Sequence, residues 1–303
     1  CDLVISTHGR SFWVLDDIET LRQIDADVAK SGDHLFDPAD AIRRSVPAVI
    51  DYHLRGSDRM VHLEILDAEG NIVLTLFEGT RDQGTHRETW DLRHPGAVTF
   101  DGIVLEGGNP ARGPWSPPGR YQARLTVDGE VQVASFDLRR DPRLTGVTDA
   151  DLVMQFELAL EIRDAESRAN GSVLLIRDMR GQLQASVARS DDQRLRTSAE
   201  RFIGDIGRLE AQLYQVRNQS PKDKIAFPIR LNDRLTGLRS RLERGDAAPT
   251  AAYRDVFEEL STELDGHLLE LQGLISDDLS RLNAELTRAG LPRVVARDLL
   301  VTD

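Results

Sequence analysis

The chain has 303 residues, 40% of them hydrophobic and 29% charged, and a formal net charge of −13. That length exceeds one ordinary core and suits two or three domains, while the acidic balance leaves no excess of Lys and Arg to displace counterions from phosphates. A general nucleic-acid binder is therefore excluded, and docking to an anionic membrane surface is disfavoured. The single cysteine, Cys1, excludes a disulfide within the chain and any Cys-based zinc site. No apolar run of about 18 residues is present, so no membrane insertion is expected. The chain opens on Cys1 inside what reads as a strand, which gives the expectation of a fragment or processed piece.

Residues 1–25 read as a hairpin. Leu3-Val4-Ile5 and Phe12-Trp13-Val14-Leu15 are β-prone, and Thr7-His8-Gly9-Arg10 between them carries the turn signal. Two strands alone are marginal in water, so their apolar faces need partners. Residues 26–43, with Gly32 and Pro38, read as a polar linker.

Residues 44–142 carry short strands punctuated by turns, the pattern of an immunoglobulin-like antiparallel β-sandwich. The strands are 48–54, 61–66, 71–76, 85–92, 119–127 and 131–138, with hairpin turns at Asp67-Ala68-Glu69-Gly70 and Asp128-Gly129. Alternation in Tyr121, Ala123, Leu125 and Val127 turns one face inward. Residues 106–119, rich in Gly and Pro, read as a surface loop.

Residues 148–290 read as an antiparallel bundle of long helices, with 291–303 as a tail. Thr148 is placed to cap the first helix, whose seam runs Leu152, Phe156, Ala159, Ile162, Ala169, Val173, Ile176 and Leu183. A second carries Leu195, Phe202, Ile206, Leu209, Leu213 and Val216 near heptad spacing. A third follows Pro228 with Leu231, Leu235, Leu238 and Leu242. The fourth runs from Thr250 to Ala289 with Val256, Leu260, Leu264, Leu271, Ile275, Leu282 and Leu286 inward. At ~1.5 Å per residue the longest helices reach roughly 55–60 Å. The same leucine-rich seams suit a homo-oligomer through the bundle.

The stretch Asp2-Leu3-Val4-Ile5-Ser6-Thr7-His8-Gly9-Arg10-Ser11-Phe12-Trp13-Val14-Leu15-Asp16-Asp17 resembles the closing blade of the sortilin-like, BNR-repeat β-propeller proteins of bacteria, which are often labelled glycosyl hydrolases. The middle segment is similar to the immunoglobulin-like domain of flagellar hook-capping proteins. It shares Asp67-Ala68-Glu69-Gly70, Gly84-Thr85-His86 leading to Trp90-Asp91, and Pro118-Gly119-Arg120-Tyr121. Gln215-Val216-Arg217-Asn218-Gln219-Ser220-Pro221 with Pro228-Ile229-Arg230-Leu231-Asn232 is similar to the family's helical C-terminus. The resemblance implies a terminal propeller hairpin, an upstream propeller domain as partner, and an exported location, periplasmic or extracellular. The family's Asp-box, Ser-x-Asp-x-Gly-x-Thr-Trp, is absent from these residues, so any catalytic groups would lie upstream.

The residues point to no catalytic group, no metal site and no cofactor. There is no His-Glu-x-x-His, no Gly-x-Ser-x-Gly, no phosphate-binding Gly-rich loop and no EF-hand. Asp16-Asp17 is the best carboxylate pair for glycoside cleavage. Neighbours on a strand point to opposite faces, however, so the pair reads better as a strand-ending turn. Asp277-Asp278 reads as a solvated helix face and His267 as packing beside the apolar seam. His8 and Arg10 could touch a ligand at a propeller rim, although Gly9 between them reads first as a turn residue. Trp90, Trp115 and Tyr121 could stack on sugar rings; Trp90 reads as core, leaving Trp115 as the exposed candidate. The expected function is a non-catalytic structural and interaction module of a larger propeller protein. The alternatives are an accessory part of a glycosyl hydrolase or peptidase, and a carbohydrate-binding sandwich.

Overall fold

The computed structural model of the chain describes residues 3–6, 8–9, 11–15, 18–26, 28 and 32–297. It mixes several β-sheets with a C-terminal helical region and divides into two compact units. Unit 1 is Cys1–Pro95 with Trp115–Val153, and unit 2 is Gly96–Pro114 with Met154–Asp303. The chain thus enters unit 2, returns to unit 1 and re-enters unit 2.

Unit 1 opens with the hairpin β1 (Leu3–Ser6) and β2 (Phe12–Leu15), followed by a short helix α1 (Glu19–Gln23). Its main body is two sheets. One holds β4 (Ala41–Ile42), β12 (Glu130–Arg139), β11 (Gly119–Val127), β6 (Arg59–Leu66) and β7 (Ile72–Arg81), in that order. The other holds β3 (His34–Leu35), β5 (Ala48–Leu54) and β8 (Gly84–Trp90). Period-two alternation sends Ala48, Ile50, Tyr52 and Leu54 of β5 inward, with Val61, Leu63 and Ile65 of β6 and Tyr121, Ala123, Leu125 and Val127 of β11. These side chains, together with Trp90 and Phe136, form one apolar cluster shared by both sheets.

The outward faces carry cross-strand charge pairs. Arg124 lies opposite Glu64 and its Nε donates to that carboxylate at 2.7 Å; Arg87 lies opposite Asp51 and grips it in bidentate fashion at 2.7 Å. The segment read as a linker contributes β3 and β4, and buries Leu35, Phe36 and Ala41. A polar stretch can do this because Leu35, Phe36 and Ala41 fall in or beside β3 and β4, where they are buried.

Unit 2 is built from α2 (Asp149–Val187), α3 (Gln193–Leu213), α4 (Leu231–Leu242), α5 (Ala251–Gly273) and α6 (Ser280–Arg288). At the start of α2 a reciprocal cap forms. The Asp151 N–H donates to Thr148 Oγ1 at 3.1 Å, and the Thr148 N–H donates to the Asp151 carboxylate at 2.8 Å. Asp192 caps α3 through its carboxylate.

Two details of the expected seams are corrected. The second helix stops at Leu213 with Tyr214 extended, which leaves Val216 outside the helical phase and exposed. The fourth helix is not one run, because a π-helical turn over Leu274–Leu279 separates α5 from α6. The wider turn rotates the stripe, so Leu279 is buried where Ile275 was expected, and Ile275 is only half-buried. Val256 is also exposed, lining an open cleft with Ile229. The described part of the tail packs down: Val294 is buried, and Asn283 exchanges two hydrogen bonds with its backbone at 2.8 and 2.9 Å.

The Gly/Pro-rich stretch read as a surface loop is in part interior structure. Its residues 106–114 belong to a segment, 96–114, that packs with the helices of unit 2 and buries Ala97, Phe100 and Pro110. A Cβ at Gly107 would lie 2.5 Å from the Asp233 carbonyl oxygen and 2.6 Å from the Gly237 nitrogen, so main chain approaches main chain where a side chain would block it.

Candidate functional site

The hairpin of unit 1 is the strongest candidate surface. Its strands form because β-branched and aromatic residues favour the pleated conformation, and its turn is eased by Gly9 at φ +83°. The register pairs Leu3 with Leu15, Val4 with Val14, Ile5 with Trp13 and Ser6 with Phe12. Directly opposed residues share a face. Leu3, Ile5, Trp13 and Leu15 therefore lie on one side and Val4, Ser6, Phe12 and Val14 on the other.

Both sides are apolar and both are open. Every residue of the two strands is exposed, with Phe12 at 74% and Trp13 at 62%. Covering such side chains releases about 1.5–3 kcal/mol each at full burial, before docking entropy is subtracted. A hairpin that lies on a surface hides one face only. This one presents two.

His8 is exposed in the turn of this hairpin. Arg10, and the Asp16-Asp17 pair, lie outside the described residues. Trp115 is half-buried against the apolar cluster of the two sheets, with the Arg93 guanidinium 3.9 Å and the Arg44 guanidinium 5.0 Å from its ring centroid. Of the three aromatic residues considered for sugar stacking it is the one not buried, but cations occupy its surroundings. Trp90 is 1% exposed and donates from Nε1 to the Arg93 carbonyl at 2.8 Å. Tyr121 is also buried; it donates to the Pro117 carbonyl at 2.9 Å, and desolvation pushes its hydroxyl up to about 12. Neither His8 nor Trp115 lines the clefts around Phe202, Arg120 or Asp233.

Unit 2 holds a charged centre that was not anticipated. Glu166 on α2 is fully buried and lies 3.1 Å from Arg239 of α4, whose Nη1 also reaches Glu243 at 3.4 Å. Burial raises the Glu166 carboxyl to about 7 against the downward pull of Arg239, and the Glu243 charge adds to the rise. A carboxyl tuned to neutrality is a usual mark of proton-transfer sites. Here it is sealed from solvent, and the ion pair joins α2 to α4. The signal was present in the pattern: Glu166 falls four residues after Ile162 on the buried stripe, and Arg239 four after Leu235.

Among the described residues no group of three or more His, Cys, Asp or Glu could hold a metal ion. Likewise, no described helix is long and apolar enough to cross a membrane. No protein-family model matches the chain, and no curated protein matches it. Among solved structures, CopC from Methylosinus trichosporium OB3b aligns at 17% identity over 36% of this chain and 93% of that chain. Its TM-score is 0.18, a likeness too slight to assign a fold or a ligand to this chain.

Proposed function

We propose that this chain is a non-catalytic structural and interaction module of a larger exported protein of the sortilin-like, BNR-repeat propeller kind. In this reading β1 and β2 complete a propeller blade, the two sheets of unit 1 are an immunoglobulin-like sandwich, and unit 2 is a helical spacer or assembly bundle. The observation that carries it is the hairpin with two apolar, uncovered faces. Blades of a propeller stack face against face around the axis, so a blade strand needs apolar side chains on both sides. A strand pair that merely edged a sandwich would need them on one. The resemblance of residues 2–17 to a closing blade supports the same partner.

The test is co-expression of the chain with the preceding blades of its parent as a separate polypeptide. We expect co-elution of the wild-type chain and its loss in Phe12→Asp/Trp13→Asp, whose two changes fall on opposite faces. Co-elution unaffected by the double variant would remove the hairpin from the interface. Glycosidase or peptidase turnover by the isolated chain would overturn the non-catalytic reading.

A further inference from the structure

The cleft of unit 2 that Ile229 and Val256 line encloses about 480 Å³, inside the range of small-ligand sites, roughly 300–1,000 Å³. Its walls come from α4 and α5. Glu106 and Gly107 line it at the first turn of α4, where the Asp233 carboxylate accepts from their N–H groups at 3.0 and 2.6 Å. Leu238 and Leu260 give it a buried apolar floor, while Ile229 and Val256 stand exposed beside them. An apolar group entering the cleft covers those exposed side chains at a gain.

The charges of the lining are unevenly matched. Asp233 is spent on the two main-chain N–H groups. The Arg234 guanidinium is spent on Glu263 at 2.6 Å and Glu259 at 3.3 Å. Arg241 and Arg244 also line the cleft, are exposed, and form no ion pair or side-chain hydrogen bond among the described residues. The remaining acid, Glu106, is held beside Asp233, eight residues before Arg241 on α4 and so about 12 Å away along the helix at ~1.5 Å per residue. One end of the cleft is therefore positive as well as apolar. Arginine near a helix C-terminus also answers the helix dipole. That role needs neither an apolar lining nor a second guanidinium, three residues on, in the same cleft.

We infer that this cleft binds a small apolar carboxylate, with its head group gripped by Arg241 and Arg244 and its body lying along Leu238, Leu260 and Val256. Guanidinium groups hold a carboxylate through paired N–H donors, and such charge-assisted bonds are about twice as strong as neutral ones. A single negative charge suits the site, because Glu106 and Glu259 in the same lining repel further ones.

The probe is decanoate, titrated into the full-length chain below its micellar concentration and followed by calorimetry. Saturable one-to-one binding is expected, weakened about tenfold or more in Arg241→Gln/Arg244→Gln and in Val256→Asp. Both variants change exposed residues, and wild-type helical ellipticity checks that they fold. Decan-1-ol, of the same length without the charge, should bind about tenfold more weakly than decanoate. Phe12→Asp/Trp13→Asp, which spoils the apolar hairpin of unit 1, should bind decanoate as the wild type does. Absence of saturable binding overturns the proposal. So does equal affinity for the alcohol, or unchanged affinity in either cleft variant. Binding lost in the hairpin variant would place the ligand on unit 1 and overturn it as well.

Discussion

Unit 1 and unit 2 differ in how they satisfy buried main chain. In unit 1 the strands pair with one another, and the buried carboxylates Glu64 and Asp51 are each met by an arginine, Arg124 or Arg87, from the neighbouring strand. In unit 2 an irregular segment crosses the helices, and side chains reach out to pair its N–H and carbonyl groups. The first arrangement needs only apolar residues at alternate positions. The second needs particular amides and charges inside a helical core, where each is expensive if its partner is lost. Robustness to sequence change should therefore differ between the units.

The largest expected effects compare the two interiors directly. Because Trp13, Trp90 and Trp115 are the chain's only tryptophans and all lie in unit 1, fluorescence follows that unit while helical ellipticity follows unit 2. Trp90→Ala should remove about 3–5 kcal/mol from the fluorescence transition in urea, equally at about pH 5 and pH 8. A loss that varies with pH would show that the interior of unit 1 depends on ionisation as that of unit 2 does.

Arg239→Met should remove a similar amount, about 3–5 kcal/mol, from the ellipticity transition at about pH 8, because Glu166 is left buried and charged. The loss should shrink toward about pH 5. The folded Glu166 carboxyl, at about 7, lies above its ordinary value of 4.5. Its contribution is therefore fully present below 4.5 and is lost as pH rises through about 7. Glu166→Gln should flatten that dependence in the wild-type background; an unchanged slope would place the titrating group elsewhere.

The smallest expected effect concerns the start of α2. Thr148→Ala removes one partner of the reciprocal cap and should cost about 1 kcal/mol. Because the cap sits in unit 1, with Asp149–Val153, fluorescence should register it; a shift seen in ellipticity alone would attach it to the bundle instead.

These contrasts also explain what could be read from residues. The β5 and β11 strands match their expected limits because alternation is a local signal: Ile50, Tyr52 and Leu54, or Tyr121, Ala123 and Leu125, need only their own neighbours to be recognised. The exposed hairpin was legible for the same reason, since both strands are almost wholly apolar. The packing of residues 96–114 was not. Its partners stand far along the chain, and Asn170, Asp233 and Arg239 resemble ordinary helix-surface residues until their position on the buried stripe is noticed. The π turn was hidden as well, because Leu264, Leu271, Leu282 and Leu286 fit one continuous helix almost as well as two. At the candidate surface, apolar character was readable from composition, but which residues share a face depended on the register of the pair.

The position of residues 96–114 has a consequence for the order of synthesis. Gly107 leaves the ribosome 126 residues before Asp233, the side chain that receives its N–H. At elongation rates of about 5–20 residues per second that interval lasts roughly 6–25 s. During it the strands on either side of the segment can pair, fixing both of its ends, while α4 does not yet exist. The part of the segment around Gly107 therefore waits until α4 arrives, and α4 closes onto a strap whose ends are already anchored.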